Sequence, residues 1–278
     1  MTSEIPSGGT VHYTPPALQG LRQSYPPRQV ESAGLVWDVI DTGSAPGSGE
    51  TLVLLPGAQG TAALFYRQVA LLRDAARVLA ITYPAAPDAE SLADGLAGVL
   101  DALGVAQASV LGSSYGAYLG QLFAARHPTR VRLLFVTNSF VDVGAHSSGR
   151  FGTMQLDAMP AAALKAGARD RIVAQPPGEL RSALLAEIDA QPAEALKAHL
   201  LGVAHSRPVG KLPIPDERVV VIDCADDPVV PAVMREAVAG HYPGAAHHCL
   251  EQGGHYPYIQ AAEAFAAIVR GYLGGAGG

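Results

Sequence analysis

Five short apolar runs, most of them followed by a stretch with helical spacing, constrain the fold of this chain more than any other feature. They are "TLVLLPG" (51–57), "ARVLAITYP" (76–84), "ASVLGS" (108–113), "VRLLFVTNS" (131–139) and "RVVVIDCAD" (218–226). A strand covered on one face alternates apolar and polar residues, as "GLVWDVIDTG" (34–43) does, whereas a continuous apolar run needs cover on both faces. Between the runs lie amphipathic stretches such as "AESLADGLAGVLDALG" (89–104), whose closing Gly104 suits a helix C-terminus. Strand, helix, strand in this order predicts an α/β protein with a mostly parallel central sheet and helices on both faces.

From Val141 to Pro215 the rhythm breaks, and only helical patterning is found. Residues 31–140 and 216–274 are therefore expected to form one core, and 141–215 a helical lid (cap) over the strand ends, where open α/β sheets bind ligands. Residues 1–30, rich in Pro, Ser and Gly, are expected to be an extended arm, and "GGAGG" at the end a frayed tail.

"VLGSSYGAYLG" (110–120) carries Gly-x-Ser-x-Gly, a pattern that decides little alone in a chain with 31 Gly. Its setting decides more, because Ser114 falls where a predicted strand ends and a predicted helix begins. That turn strains the Ser backbone and needs Gly112 and Gly116, since side chains there would collide across the bend. The hydroxyl then stands at a helix N-terminus, which favours developing negative charge.

A serine hydroxyl needs a base, and the base needs an orienting group. In an elbow fold both come later in the chain, acid before base. His255, in "LEQGGHYPYI", is the His in a late loop after a candidate strand. "VVVIDCADDPVVP" offers Asp223, Asp226 and Asp227. Asp223 falls inside the strand, so Asp227, at the turn before Pro228, is the favoured acid. Asp142, just after the 131–139 run, is the rival. The backbone N–H groups of Tyr115 and Ala58 are the expected oxyanion donors. Phe65, Tyr66, Tyr118, His146 and Phe151 are candidate pocket residues, though aromatics at such positions are as often core.

These flanks resemble the α/β-hydrolase superfamily across residues 33–274, and within it maspardin-type proteins. The resemblance rests on "GTAALFYRQVALL", "AITYP", "FVTNSFVD", "MPAAALKAG" and "HYPGAAHHCLEQGGHYPYI". Pro56 stands where many hydrolases carry His in the oxyanion loop, and "YPAAPD" replaces the usual Gly-rich turn; both departures fit maspardin. The resemblance implies a protein-binding role, with Asn at the position of His255. The His present here favours chemistry instead.

The remaining composition narrows the classes. A net charge of −6 with 19 scattered Lys and Arg gives no basic stripe for nucleic acid. Two cysteines are too few for a disulfide framework, and His247 and His248, adjacent on a strand, point to opposite faces rather than to one metal. No run approaches a membrane span and the N-terminus lacks a signal pattern, so a cytoplasmic location is expected. The sequence reading is thus a cofactor-independent serine hydrolase of esterase, thioesterase or lactonase type, acting on a small-molecule substrate with a small to medium apolar acyl group. A maspardin-like protein-binding module, and an acyl transferase, lyase or cyclase on the same scaffold, remain alternatives.

Overall fold

A computed structural model describes residues 14–45, 48–86, 88–144 and 153–274. Its strands are β1 (Arg28–Ser32), β2 (Leu35–Asp41), β3 (Thr51–Leu55), β4 (Arg77–Thr82), β5 (Ala108–Ser113), β6 (Val131–Thr137), β7 (Val219–Cys224) and β8 (Ala246–Leu250). They form one sheet in the order β1-β2-β4-β3-β5-β6-β7-β8. β2 pairs antiparallel with β1 and β4, and every other pairing is parallel. β3, β5 and β7 are buried at every residue, which explains their unbroken apolar runs.

The helices are α1 (Pro16–Ser24), α2 (Tyr66–Leu72), α3 (Ala89–Ala102), α4 (Tyr115–Arg126), α5 (Thr153–Ala158), α6 (Ala161–Val173), α7 (Glu179–Ala190), α8 (Ala193–Ala204), α9 (Ala232–His241), α10 (Pro257–Gln260) and α11 (Ala262–Leu273). Asp88 caps α3 by accepting from Ser91 N–H at 2.7 Å, and Gly104 ends it at φ +68°. One core joins the sheet to residues of α3, α4 and α9, and the other joins it to α1, α2 and α11. α5 to α8 are inserted between β6 and β7; α6 packs on α7 and α8, and α8 reaches α4.

The expectation of an extended arm over 1–30 is corrected from residue 16 onward. Pro16 opens α1, whose Leu18 and Leu21, three residues apart, are buried against the α2 side of the sheet. β1 begins at Arg28 and returns into β2 through Ala33 (φ +53°) and Gly34 (φ +72°), the twist a two-residue hairpin requires. Pro and Ser content masked a helix whose apolar face is only two leucines wide.

Candidate active site

Ser114 sits between β5 and α4 at φ +54°, ψ −120°, a conformation that side-chain-bearing residues rarely hold. Its neighbours leave no alternative path. A Cβ on Gly112 would lie 2.2 Å from Gly116 O, and one on Gly116 would lie 2.1 Å from Leu55 O. Ser114 N–H donates to Thr137 O at 2.9 Å, and its carbonyl accepts from Ala117 N–H, Tyr118 N–H and, at 2.7 Å, Ser139 Oγ. As the first residue of α4, Tyr115 has a backbone N–H without an intrahelical acceptor.

The structure brings His255 and Asp227 together. His255 Nδ1 lies 2.9 Å from Asp227 Oδ2 and 3.2 Å from Oδ1, and the Asp227 side chain is fully buried. Burial opposes ionisation of Asp227, but His255 and the N–H groups of Val229 and Val230 outweigh it and leave the carboxyl below its ordinary range. A carboxylate at Nδ1 keeps the ring proton there and leaves Nε2 as the basic nitrogen. Asp142, the rival acid of the sequence reading, lies just after β6.

Three aspartates at the end of β7 hold three different partners. Asp223 takes His247 Nε2 at 2.8 Å, and burial raises its pKa despite that imidazole. Asp226 accepts from Gly254 N–H at 2.8 Å and Gly253 N–H at 3.3 Å, and Asp227 takes His255. His248, on the opposite face from His247, lies 2.8 Å from the Tyr272 hydroxyl. Among the described residues no group of three or more His, Cys, Asp or Glu gathers as a metal would need.

The loop after β3 is held on both sides of the Gly57–Ala58 peptide. Gly60 N–H donates to Gly57 O at 3.1 Å, fixing the plane that carries the Ala58 N–H. A Cβ on Gly57 would touch Ser114 Cβ at 3.4 Å, so this plane lies against the elbow. The Tyr83 hydroxyl donates to Pro56 O, and Gln191 Nε2 donates to Ala58 O at 3.1 Å. Gln191 Nε2 also faces His199 Nδ1 at 3.3 Å, while His199 Nε2 faces Pro84 O at 3.0 Å. These contacts make His199 a neutral Nε2–H tautomer, and burial lowers its pKa.

The aromatic candidates are core side chains. Phe65 packs on Tyr258 with centroids 4.6 Å apart, the Tyr66 hydroxyl donates to Glu179, and Tyr118 stacks on Phe140. All three are buried, and Tyr66 also lines a cavity with residues of α1 and Glu179. His146 and Phe151 lie outside the described residues. Gln191, His199 and Tyr83 were not singled out from sequence. Their only signal was a polar side chain on an otherwise apolar face, as in "KAHLLG".

A nucleophile-elbow turn on a mostly parallel sheet, with a late Asp-His pair, is the arrangement of α/β hydrolases. The sequence profile of the alpha/beta hydrolase family matches residues 52–268, and the chain belongs to that family. Within it the chain resembles maspardin: human maspardin is 28% identical over 248 residues, covering 81% of this chain and 74% of that protein. A 2-hydroxymuconate semialdehyde hydrolase from Pseudomonas putida is 30% identical over 185 residues, or 63% of this chain and 66% of that one. The crystal structure of a hydrolase from Pseudomonas aeruginosa PA01 superposes with a TM-score of 0.74 at 21% identity, covering 90% of this chain and 99% of that chain. Among the described residues no helix is long and apolar enough to cross a membrane.

Proposed function

We propose that the protein is a cofactor-independent serine hydrolase acting on an ester, thioester or lactone of a small to medium apolar acid. Ser114 Oγ attacks the carbonyl carbon while His255 Nε2 takes its proton. Asp227 holds the imidazole and stabilises its charged form, and the Ala58 and Tyr115 N–H groups receive the oxyanion. His255 returns the proton to the leaving group. Water then attacks the acyl-enzyme with His255 as base, releasing the acid and Ser114. α5 to α8 act as the lid that limits water and selects the acyl group. The observations that support this reading are the buried His255–Asp227 pair and a serine held at φ +54° in the turn between β5 and α4. Hydrolase relatives at the level of the Pseudomonas putida protein support it.

Labelling with a fluorophosphonate probe tests the reading without knowledge of the substrate. Wild type is expected to label, and Ser114→Ala and His255→Ala to lose labelling by about three or more orders of magnitude in rate. A wild type that does not label defeats the reading. The maspardin resemblance then favours a partner-binding module, whose partner binds Ser114→Ala as well as wild type.

A further inference from the structure

Three loops must meet at such a site, and two adjacent residues at the end of β6 touch all three. Asn138 is fully buried and stands at φ +42°, a left-handed conformation that Asn tolerates better than most residues. Its N–H reaches Ile222 O at 3.2 Å, its Oδ1 accepts from Cys224 N–H at 2.9 Å, and its Nδ2 donates to Gly254 O at 2.8 Å. Ser139 Oγ donates to the Ser114 carbonyl at 2.7 Å. Cys224 precedes the acid turn by three residues and Gly254 directly precedes His255.

Resting on the serine-hydrolase reading, we infer that Asn138 is a positioning residue that registers the His255 loop against the Asp227 turn, and that Ser139 anchors the Ser114 elbow to the same point. The chemistry of the side chain supports this. One planar amide supplies an acceptor to β7 and a donor to the base loop, a pairing that an ionised Asp or a Leu of similar size cannot reproduce. The base loop needs such a tether because Gly253 and Gly254 stand at φ +154° and +55°, and glycines leave a loop free to wander. Asp226 binds the N–H groups of Gly253 and Gly254 and Asn138 binds the carbonyl of Gly254, so the segment before His255 is held from both sides.

Two variants test it. Asn138→Gly keeps the left-handed backbone and deletes both side-chain bonds. Asn138→Asp keeps the acceptor for Cys224 N–H but presents Gly254 O with a carboxyl that donates only when protonated. Full burial at this position favours the protonated form. Labelling of Asn138→Asp by the fluorophosphonate is therefore expected to fall relative to wild type as the pH is raised, because ionisation of the introduced carboxyl removes the donor to Gly254 O. Asn138→Gly is expected to label about 10–100-fold more slowly at every pH, the cost of a misplaced reacting group.

Amide exchange over residues 251–257, read by mass spectrometry in the same samples, is expected to rise about 5–10-fold in Asn138→Gly. Unchanged exchange there, with the wild-type pH profile in Asn138→Asp, overturns the inference. A wild type that does not label, with exchange still faster in the variant, defeats the serine reading but sustains the tether. If Asn138→Gly does not fold, the profile and exchange of Asn138→Asp decide alone.

Discussion

The two loops proposed to flank Ser114 are held from different parts of the chain. On the base side, His255 is fixed by Asp227, and the glycines before it by Asp226 and Asn138, all at strand ends within the sheet. On the oxyanion side, the loop carrying Ala58 is held by Tyr83 at the end of β4 and by Gln191, between α7 and α8 of the inserted helices. The base side is thus as firm as the sheet. The loop carrying Ala58 depends in part on the docking of the insertion, so whatever binds the insertion is coupled to the donor expected to stabilise charge.

Asp227→Asn gives the largest expected effect and sets the base-side limit. The amide keeps an acceptor for Val229 and Val230 N–H but opposes the tautomer His255 needs. Labelling or turnover should fall about 10³–10⁴-fold with little change in melting temperature. On the oxyanion side, Gln191→Leu removes the donor to Ala58 O without touching the elbow, and a loss of about 10-fold in kcat with KM less affected is expected. An equal effect from both variants would break the comparison.

Arg22→Ala sharpens it further, because Arg22 of α1 pairs at 2.5 Å with Glu187, a buried carboxylate of α7 that also accepts from the Thr61 hydroxyl. Burial already raises the Glu187 pKa, and Arg22 and Thr61 only partly offset it. With its guanidinium partly solvated, losing Arg22 should cost about 1 kcal/mol by denaturant melts. In a double-mutant cycle with Gln191→Leu, the activity losses should combine by less than their product, since both loosen the same insertion. Strict additivity would show that Gln191 acts alone.

The smallest effect is in pH. His199 has a lowered folded pKa, so the unfolded chain binds its proton more readily. The stability it contributes is present above about 6.5, its ordinary value, and declines as pH falls toward the folded value. Asp223 and Glu187, raised by burial, act in the opposite sense at lower pH. The difference between wild type and His199→Gln, which keeps the donor to Pro84 O, isolates the contribution of this imidazole. Wild type should lose more melting temperature than the variant between pH 7 and 5.5.

The sheet was legible because each of its central strands is buried on both faces and reads as an unbroken apolar run. Ser114, Asp227 and His255 could be nominated because each sits where a strand ends and a turn signal begins. α1 was not legible, its two buried leucines being too few to outweigh the surrounding Pro and Ser. Asn138, Gln191 and His199 were hidden for another reason. Each acts through a hydrogen bond to a residue more than 100 positions away, and no local period records that.

The bond from Gln191 to Ala58 spans 133 positions and that from Arg22 to Glu187 spans 165. Contacts so remote in sequence form late, after the entropy of closing long loops has been overcome. During synthesis the elbow and the loop after β3 emerge well before the helices that fix them. Gln191 reaches Ala58 O only once the insertion has folded, so the Ala58 N–H expected to receive an oxyanion is among the last groups to be fixed in place.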